Sequence, residues 1–226
     1  MRLGLGVFSL CWVQLFWAQA TAPLSMQFQL YDQAQPLTPH TWVALPEGAR
    51  ARIDVCKIYL SGFAYADAQG EHLLTQPQAV LVDFFTPEST QLQLPIPPAN
   101  CQHLILTQGV TPALNDAGIG EGPLDPAKGM YWTWETGYIH GKIEGQWQQH
   151  GRTTPFTLHL GGFLPPFQSA QRMEWPLPSS NGVWHITLDL HPLLLALLHQ
   201  PKRDLMSPSA AAVALSQTLA QCWRVR

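Results

Sequence analysis

Charged residues are scarce in this sequence. Asp, Glu, Lys and Arg make up 12% of the 226 residues, about half the usual share in globular proteins. The formal net charge is −3, and no cluster of lysine and arginine stands out. Surfaces that bind nucleic acid need such clusters, so the composition disfavours nucleic acid as a partner.

Long hydrophobic runs are also lacking. The longest is the largely apolar stretch at residues 3–17 after Arg2, which is too short for a comfortable membrane span. Ala18-Gln19-Ala20 follows and offers small residues at the two positions that a signal peptidase reads. We therefore predict a signal peptide at residues 1–20, cleaved near Ala20/Thr21, and a periplasmic or secreted mature domain at residues 21–226 without a transmembrane segment.

Cysteines are few, and none form a C-x-x-C pair, which disfavours zinc-ribbon and thioredoxin-type sites. Three follow the predicted cleavage site: Cys56, Cys101 and Cys222. An exported protein meets an oxidising compartment, so one disulfide is expected. Cys56 and Cys101 both fall at the starts of predicted strands and are the expected pair, which leaves Cys222 buried or free.

The usual catalytic motifs are missing as well. The sequence contains no G-x-S-x-G, no H-E-x-x-H and no phosphate-binding loop. We therefore expect that the protein is not an enzyme.

Short alternating apolar runs, separated by Pro, Gly, Asn and Asp, fill most of the chain. About eight of them are typical of strands, and no βαβ alternation appears, so we predict an all-β antiparallel β-sandwich. The predicted strands are 26–30, 52–65, 78–85, 91–96, 101–108, an aromatic strand from residue 131, 156–160 and 183–190. Two short C-terminal helices are expected, at residues 191–199 and from an N-cap at Ser207 with Pro208 at the first helical position.

An aromatic strand follows a glycine-rich loop in the middle of the chain, between Gly118 and Gly145. Because strand side chains alternate between two faces, Trp132, Trp134 and Tyr138 are expected to share one face. Such a face is either packed into the core or exposed for binding.

Several motifs of the chain resemble those of one known family. The run LDPAKGMYWTWETGYI is similar to a signature of the MbnP-like copper-binding family, which comprises methanobactin-associated periplasmic proteins and their relatives. The segments KIYLSGFAY, VLVDFF, FTLHLGGF, WHITLDL and LMSPSAAAVALSQTLAQCWRV resemble other parts of the same family, in the same order. The resemblance implies a periplasmic protein that takes part in copper acquisition, storage or homeostasis.

Two histidines match positions where that family places copper-binding imidazoles. His159 and His185 each lie on a strand, on the face opposite its large apolar side chains. Alone, this pattern is typical of a solvated histidine, but the resemblance implies that the two converge on one copper ion. His140 shares the predicted face of the tryptophans and is a weaker third candidate.

The resemblance also implies how a third donor arises. Imidazole is a good ligand for Cu(I) and Cu(II), whereas the indole of an intact tryptophan is only a hydrogen-bond donor. In the family, a tryptophan is oxidised to kynurenine, which frees an aryl amine; Trp132 and Trp134 are both candidates. The chain has no C-x-x-C-H haem attachment site, so the oxidant is expected from a partner, a MauG-like or MbnH-like di-haem cytochrome c peroxidase.

Two other classes of function stay open on the sequence. A carbohydrate-binding β-sandwich would stack sugars on Trp132, Trp134 and Tyr138, and would need an exposed flat aromatic face without convergent histidines. An interaction module would dock a partner protein on the aromatic strand without metal.

Overall fold

The computed structural model describes residues 22–179 and 182–225. The predicted signal peptide and its cleavage site lie outside the described residues. Within them, the chain forms fifteen strands and three α-helices. In chain order they are β1 Leu24–Asp32, β2 Gln35–Pro36, β3 Trp42–Ala44, β4 Arg50–Asp67, β5 Gly70–Leu73, β6 Ala79–Asp83, β7 Gln91–Leu94, β8 His103–Gln108, α1 Pro112–Asp116, β9 Tyr131–Thr133, β10 Gly137–Gln149, β11 Arg152–Gly161, β12 Gln171–Pro176, β13 Val183–Asp189, α2 His191–Leu198, β14 Asp204–Leu205, α3 Ala210–Ala220 and β15 Trp223–Val225.

The strands form two sheets of unequal size. The smaller sheet has five strands in the order β15-β13-β1-β2, with β7 also paired to β1. The larger sheet has ten strands along the path β12-β8-β4-β10-β11-β14, and β3, β5, β6 and β9 pair with its central strands. The predicted β-sandwich is confirmed, although the sheets are mixed, because β1 pairs with β13 in parallel and β11 pairs with β14 in parallel.

The core lies between the two sheets. Apolar side chains of the small sheet, such as Phe28 and Ile186, join those of the large sheet, such as Ile58 and Leu158, in one buried cluster. Alternation along each strand therefore sends every second side chain outward, away from the core. Helices α2 and α3 contribute Leu193, Leu194, Leu215 and Leu219 to the same cluster.

The long strand β4 lies at the centre of the large sheet. Its first part pairs with β10, from Arg50 to Ile58, and its second part pairs with β8, from Leu60 to Ala66. The change of partner coincides with a register shift between Ser61 and Ala64, where Gly62 has a φ of +61°. Glycine suits this bulge because it adopts positive φ without strain.

Two predicted details of secondary structure were wrong. The aromatic segment is not one strand, because a turn at residues 134–136 divides it into the hairpin β9–β10. The last helix is capped by Ser209 instead of Ser207: the Ser209 hydroxyl accepts a hydrogen bond from the Ala212 amide at 3.2 Å. Helix α1, which the sequence did not predict, begins after Thr111 with Pro112 at its first position.

The predicted Cys56–Cys101 disulfide was also wrong, since the three cysteines in the described part of the chain are free. Cys56 lies in the middle of β4 and is fully buried in the core. Cys101 lies at the far end of the same strand, because the Gln102 amide next to it donates to the Ala66 carbonyl at 2.9 Å. Ten residues of strand separate Cys56 from Ala66, up to roughly 30 Å, whereas a disulfide needs Cα atoms within about 7 Å.

A second, smaller apolar cluster covers the outer face of the large sheet. It contains Tyr59 of β4, Tyr138 of β10 and the loop residues Leu124 and Met130. The Tyr59 hydroxyl donates to the Pro123 carbonyl at 2.6 Å, and the Tyr138 hydroxyl accepts from the Gly120 amide at 2.9 Å. The glycine-rich loop is therefore held against this face, next to the hairpin β9–β10. Within the described residues, none of the helices is long and apolar enough to cross a membrane.

Candidate metal centre

His159 lies on β11, on the outer face of the large sheet. Its neighbours Leu158 and Leu160 point into the core, so the imidazole points the opposite way. The side chain is nevertheless buried, with 6% of the residue exposed. The Nε2 atom of His159 lies 2.6 Å from Oε1 of Glu144 on the neighbouring strand β10.

This contact fixes which nitrogen of His159 carries the proton. The Glu144 carboxylate only accepts hydrogen bonds, so Nε2–H of His159 donates and Nδ1 of the neutral ring keeps its lone pair. That Nδ1 atom is buried and has no hydrogen-bond partner within residues 22–179 and 182–225. Histidines that bind metals show this arrangement, in which a carboxylate orients the ring and the other nitrogen is free to coordinate.

The Glu144 carboxyl group is held in its ionised form. Partial burial works to raise the pKa of this carboxyl, but the hydrogen bond from His159 and the positive charge of Lys142 outweigh it and hold the pKa below its usual value. The Lys142 ammonium lies 3.4 Å from Oε1 of Glu144. Glu144 is therefore ionised near neutral pH and able to accept the proton of His159 Nε2.

Trp132 packs beside His159. The two ring centroids are 6.4 Å apart, with an angle of 44° between the planes, and Trp132 is only partly buried. Gly161 makes this approach possible: a Cβ atom there would lie 2.7 Å from Cζ3 of Trp132 and 2.7 Å from the Tyr138 carbonyl oxygen. The indole of Trp132 therefore lies directly over the backbone of β11, one side of it against the His159 ring.

The other aromatic residues of the segment are placed differently. Trp134 falls in the β9–β10 turn and is 80% exposed, whereas Tyr138 is fully buried in the outer cluster. The prediction that Trp132, Trp134 and Tyr138 share one face was wrong, because the turn breaks the alternation. An exposed flat aromatic platform, which carbohydrate binding would need, is not formed by these three side chains.

His140 lies on β10 and is almost completely buried. It sits at a register shift between β10 and β11, and it packs so closely on Gly109 that a Cβ atom there would lie 2.8 Å from the imidazole Cγ. Its Nδ1 atom lies 3.0 Å from the Ser169 hydroxyl. Its Nε2 atom is buried and finds no hydrogen-bond partner in the described part of the chain. Burial lowers the pKa of His140 to about 4, so the ring is neutral at physiological pH.

A pocket of about 270 Å³ opens next to the loop that contacts His140. Gln168 and Ala170, which flank Ser169, line this pocket together with Gly162. The Gly162 carbonyl also accepts a hydrogen bond from the Ser169 amide at 3.0 Å. Ser169 itself is fully buried, as is His140, and only the chain neighbours of Ser169 line the pocket.

The structure does not bring His185 to the other candidates. His185 lies on β13 of the small sheet, paired with Gln27 of β1, and its side chain is exposed. Its neighbours Trp184 and Ile186 point into the core, so His185 faces outward from the small sheet. His159 faces outward from the large sheet, on the opposite side of the sandwich. The predicted convergence of His159 and His185 is therefore wrong in this structure.

Glu144 is the residue of this site that the sequence did not reveal. It lies two positions from Lys142, which is the direct cross-strand partner of His159. A carboxylate on that face is within diagonal reach of the imidazole. The signal was the outward pair Lys142 and Glu144, but it could be interpreted only once the pairing of β10 with β11 was known.

Comparisons with known proteins agree with this fold. The family model MbnP matches residues 21–210 of the chain. Among solved structures, MbnP from Methylosinus trichosporium matches with a TM-score of 0.57 and 15% sequence identity, covering 85% of this chain and 86% of that one. At this identity the structural likeness concerns the fold alone. No curated protein sequence matches significantly.

Proposed function

Because this chain belongs to the MbnP family, we propose that it is a periplasmic copper-binding protein whose site is formed around His159 and Trp132. Membership of this family implies a copper-related periplasmic role. The proposal adds which side chains hold the metal, and it assigns no catalytic role to the chain. The mature protein would begin near Thr21, after cleavage of the signal peptide at residues 1–20.

The observation that carries the proposal is the buried, unpartnered Nδ1 atom of His159. Leaving a polar atom without a partner in a buried position costs free energy, of the order of 1–3 kcal/mol. That cost disappears if the atom coordinates a metal ion. The Glu144 carboxylate already holds the ring in the required tautomer, so His159 is preorganised as a ligand before any metal arrives.

Trp132 is our candidate for the modified tryptophan. Its ring lies against His159, whereas Trp134 is exposed in a turn. Opening of the Trp132 indole to kynurenine would free an aryl amine on the same face as His159. The indole C2 carbon leaves as formate and the side chain gains one oxygen, which with water as the oxygen source is a four-electron oxidation that requires a strong oxidant from outside. We propose a di-haem cytochrome c peroxidase of the MauG-like or MbnH-like type as the partner that supplies it.

His140 is the second imidazole that we propose. Like His159, it is a buried ring with one nitrogen that lacks a partner in the described part of the chain. It lies on β10, at the register shift that precedes Lys142, the cross-strand partner of His159. Imidazoles and an aryl amine together make a nitrogen-rich ligand set, which suits copper. His185 has no part in this site.

The physiological role that fits such a site is copper acquisition, storage or homeostasis. A bound copper ion would be enclosed by buried side chains and by the β9–β10 hairpin, which shields it from solvent. A protein that holds copper in this way can carry the ion through the periplasm without releasing it.

Mass spectrometry of protein produced with its di-haem partner tests this proposal. We expect the peptide from Met130 to Lys142 to show loss of one carbon and gain of one oxygen at Trp132. Trp134→Phe should retain the modification and Trp132→Phe should lack it. Modification at Trp134 instead, or tight copper binding by Trp132→Phe, would contradict the proposed ligand set.

A further inference from the structure

A second group of metal-ligand side chains lies at one end of the large sheet. Asp67 ends β4, His72 lies on β5, and Cys101 precedes β8. One ligand atom from each side chain lies within 4.8 Å of the ligand atoms of the other two. Among the His, Cys, Asp and Glu residues that the structure describes, this is the one group of three that comes so close.

Strand pairing on both sides of β4 creates this cluster. β5 returns antiparallel to β4 after a two-residue turn and places His72 opposite Tyr65. On the other side, the hydrogen bond from the Gln102 amide to the Ala66 carbonyl at 2.9 Å holds Cys101 beside the end of β4. The three residues come from separate elements, so their meeting depends on the tertiary fold.

The Asp67 carboxylate is fixed in place. Its Oδ1 atom accepts hydrogen bonds from the Gln69 amide at 2.7 Å and the Gly70 amide at 3.1 Å, and its Oδ2 atom lies 2.9 Å from Nε2 of His72. The side chain of Asp67 is 9% exposed, whereas that of His72 is 50% exposed. The cluster therefore combines a rigid acidic ligand with an imidazole that can adjust.

The Asp67 carboxylate supplies negative charge for a cation, whereas the Cys101 thiol must lose its proton to become a ligand. The hydrogen bonds from His72 and Gln69 lower the pKa of Asp67, so it is ionised. Burial and the nearby charge of Asp67 raise the pKa of the Cys101 thiol, so the thiol is protonated when no cation is present. A divalent metal reverses this preference, because it stabilises the thiolate and releases the proton.

We propose that Asp67, His72 and Cys101 form a second metal site, which takes a borderline divalent cation such as Zn²⁺. Zn²⁺ accepts thiolate, imidazole and carboxylate ligands together in a tetrahedral arrangement. In such a site, neighbouring ligand atoms are about 3.3–3.6 Å apart, as follows from metal–ligand distances of about 2.0–2.3 Å. The present separations reach this range with small movements of His72 and Cys101.

This site is independent of the proposed copper site. Lys57 of β4 is the cross-strand partner of Lys142, which is in turn the cross-strand partner of His159. Ten residues of β4 separate Lys57 from Asp67. That stretch spans up to roughly 30 Å. The cluster supplies three ligands, so its fourth position is open to solvent or to a donor from another molecule. An ion with an open coordination position exchanges more readily than one enclosed on all sides, which makes this a site for labile binding.

Titration with Co²⁺, a spectroscopic substitute for Zn²⁺, tests the site in the mature chain. We expect one equivalent of Co²⁺ to produce thiolate-to-metal charge-transfer absorption, and Zn²⁺ to displace it. Cys101→Ser should abolish the absorption. His72→Gln should weaken binding at least tenfold, and so should Asp67→Asn, which keeps an oxygen to accept from Gln69.

His103→Gln is the matched control, because His103 is also partly exposed beside a carboxylate, that of Glu174, but lies outside the cluster. The Co²⁺ affinity of His103→Gln should stay within twofold of that of the parent protein. Alkylation of Cys101 by iodoacetamide gives a second measurement: saturating Zn²⁺ should slow it at least tenfold in the parent protein and much less in His72→Gln. If charge-transfer absorption fails to appear, or if His72→Gln and His103→Gln bind alike, the inference is wrong.

Discussion

His159 and His185 follow the same pattern in the sequence but occupy very different places in the molecule. Each lies on a strand between apolar residues that point into the core, so each faces outward. On the large sheet, Trp132 of the β9–β10 hairpin packs on the outward face, and His159 is buried there beside Trp132 and Glu144. On the small sheet, the outward face at β13 leaves His185 exposed.

The difference shows that the face of a strand does not by itself define the environment of a side chain. What makes an outward histidine into a candidate ligand is a second layer of structure over that face. Here the second layer also supplies the neighbouring indole, while the carboxylate that orients the tautomer comes from Glu144 on β10 of the same sheet. An exposed imidazole without such support loses conformational entropy when it binds a metal, and is therefore a weaker ligand.

Replacing each of the two histidines in turn should give the largest difference in Cu(I) affinity. We expect His159→Gln to weaken Cu(I) binding by more than about 100-fold, since even loss of a residue that only orients a ligand costs 10–100-fold. His185→Gln should change it less than twofold. Competition with a chromophoric Cu(I) chelator measures both. Equal losses in the two variants would remove the distinction between the two faces.

The role of Glu144 can be isolated by Glu144→Gln, which keeps the size of the side chain but weakens its hold on His159 Nε2–H. We expect a loss of about 10–100-fold in copper affinity, as is typical for residues that orient a metal ligand. Glu174→Gln is the control, because Glu174 also lies near a histidine, His103, but outside the site. Parent-like affinity in Glu144→Gln would mean that the carboxylate does not set the tautomer of His159.

The close packing of Trp132 on β11 can be tested by Gly161→Ala. The added methyl group would meet both the indole and the Tyr138 carbonyl oxygen at 2.7 Å, and a backbone oxygen cannot move aside cheaply. We expect a loss of about 2 kcal/mol in the free energy of unfolding, typical of overpacking. Gly141→Ala on the adjacent strand should cost less, because its Cβ would approach a flexible Leu219 methyl group at 3.3 Å. Chemical denaturation compares the two, and a smaller loss in Gly161→Ala would contradict this placement of Trp132.

The burial of His140 should make the stability of the protein fall at mildly acidic pH. His140 has its pKa lowered to about 4 in the folded protein, whereas an unfolded histidine titrates near 6.5. As the pH falls below 6.5 the unfolded chain binds the proton first, so stability is lost until the pH passes below about 4. Between pH 7 and pH 5 this contributes a loss of about 2 kcal/mol.

Urea denaturation of the metal-free protein at these two pH values measures that contribution. His140→Gln should lose less stability than the parent on going from pH 7 to pH 5. A parent-like dependence in His140→Gln would mean that this imidazole is not kept neutral by burial.

The sequence predicted the sandwich and most of its strands because alternation of apolar and polar residues is a local property. Residues 26–30, 156–160 and 183–190 were placed correctly on this basis. The hairpin at Trp134 was missed because its turn residues are not a strong turn signal, and the error put three aromatic side chains on one face. Ser207 and Ser209 are both good capping residues, and only the hydrogen bond to Ala212 distinguishes them.

The candidate site could be predicted only in part for a related reason. Family motifs pointed to His159 and to the Trp132/Trp134 pair, but not to the sheet on which each histidine lies. The parallel pairing of β13 with β1 joins residues 183–189 to residues 25–31, far apart in the chain, and it places His185 on the opposite side of the sandwich from His159. Such long-range pairing leaves no local trace in the sequence. Glu144 likewise became recognisable only through the register of β10 against β11.

The most direct measurement of the central claim is the ¹⁵N NMR spectrum of the histidine rings, with and without Cu(I), which is diamagnetic. In the metal-free protein, His159 should show a protonated Nε2 and an unprotonated Nδ1. Addition of one equivalent of Cu(I) should shift the Nδ1 resonance of His159 and leave both ring nitrogens of His185 unchanged. If the nitrogens of His185 shift while Nδ1 of His159 does not, copper binds on the other face of the sandwich and the proposed site is wrong.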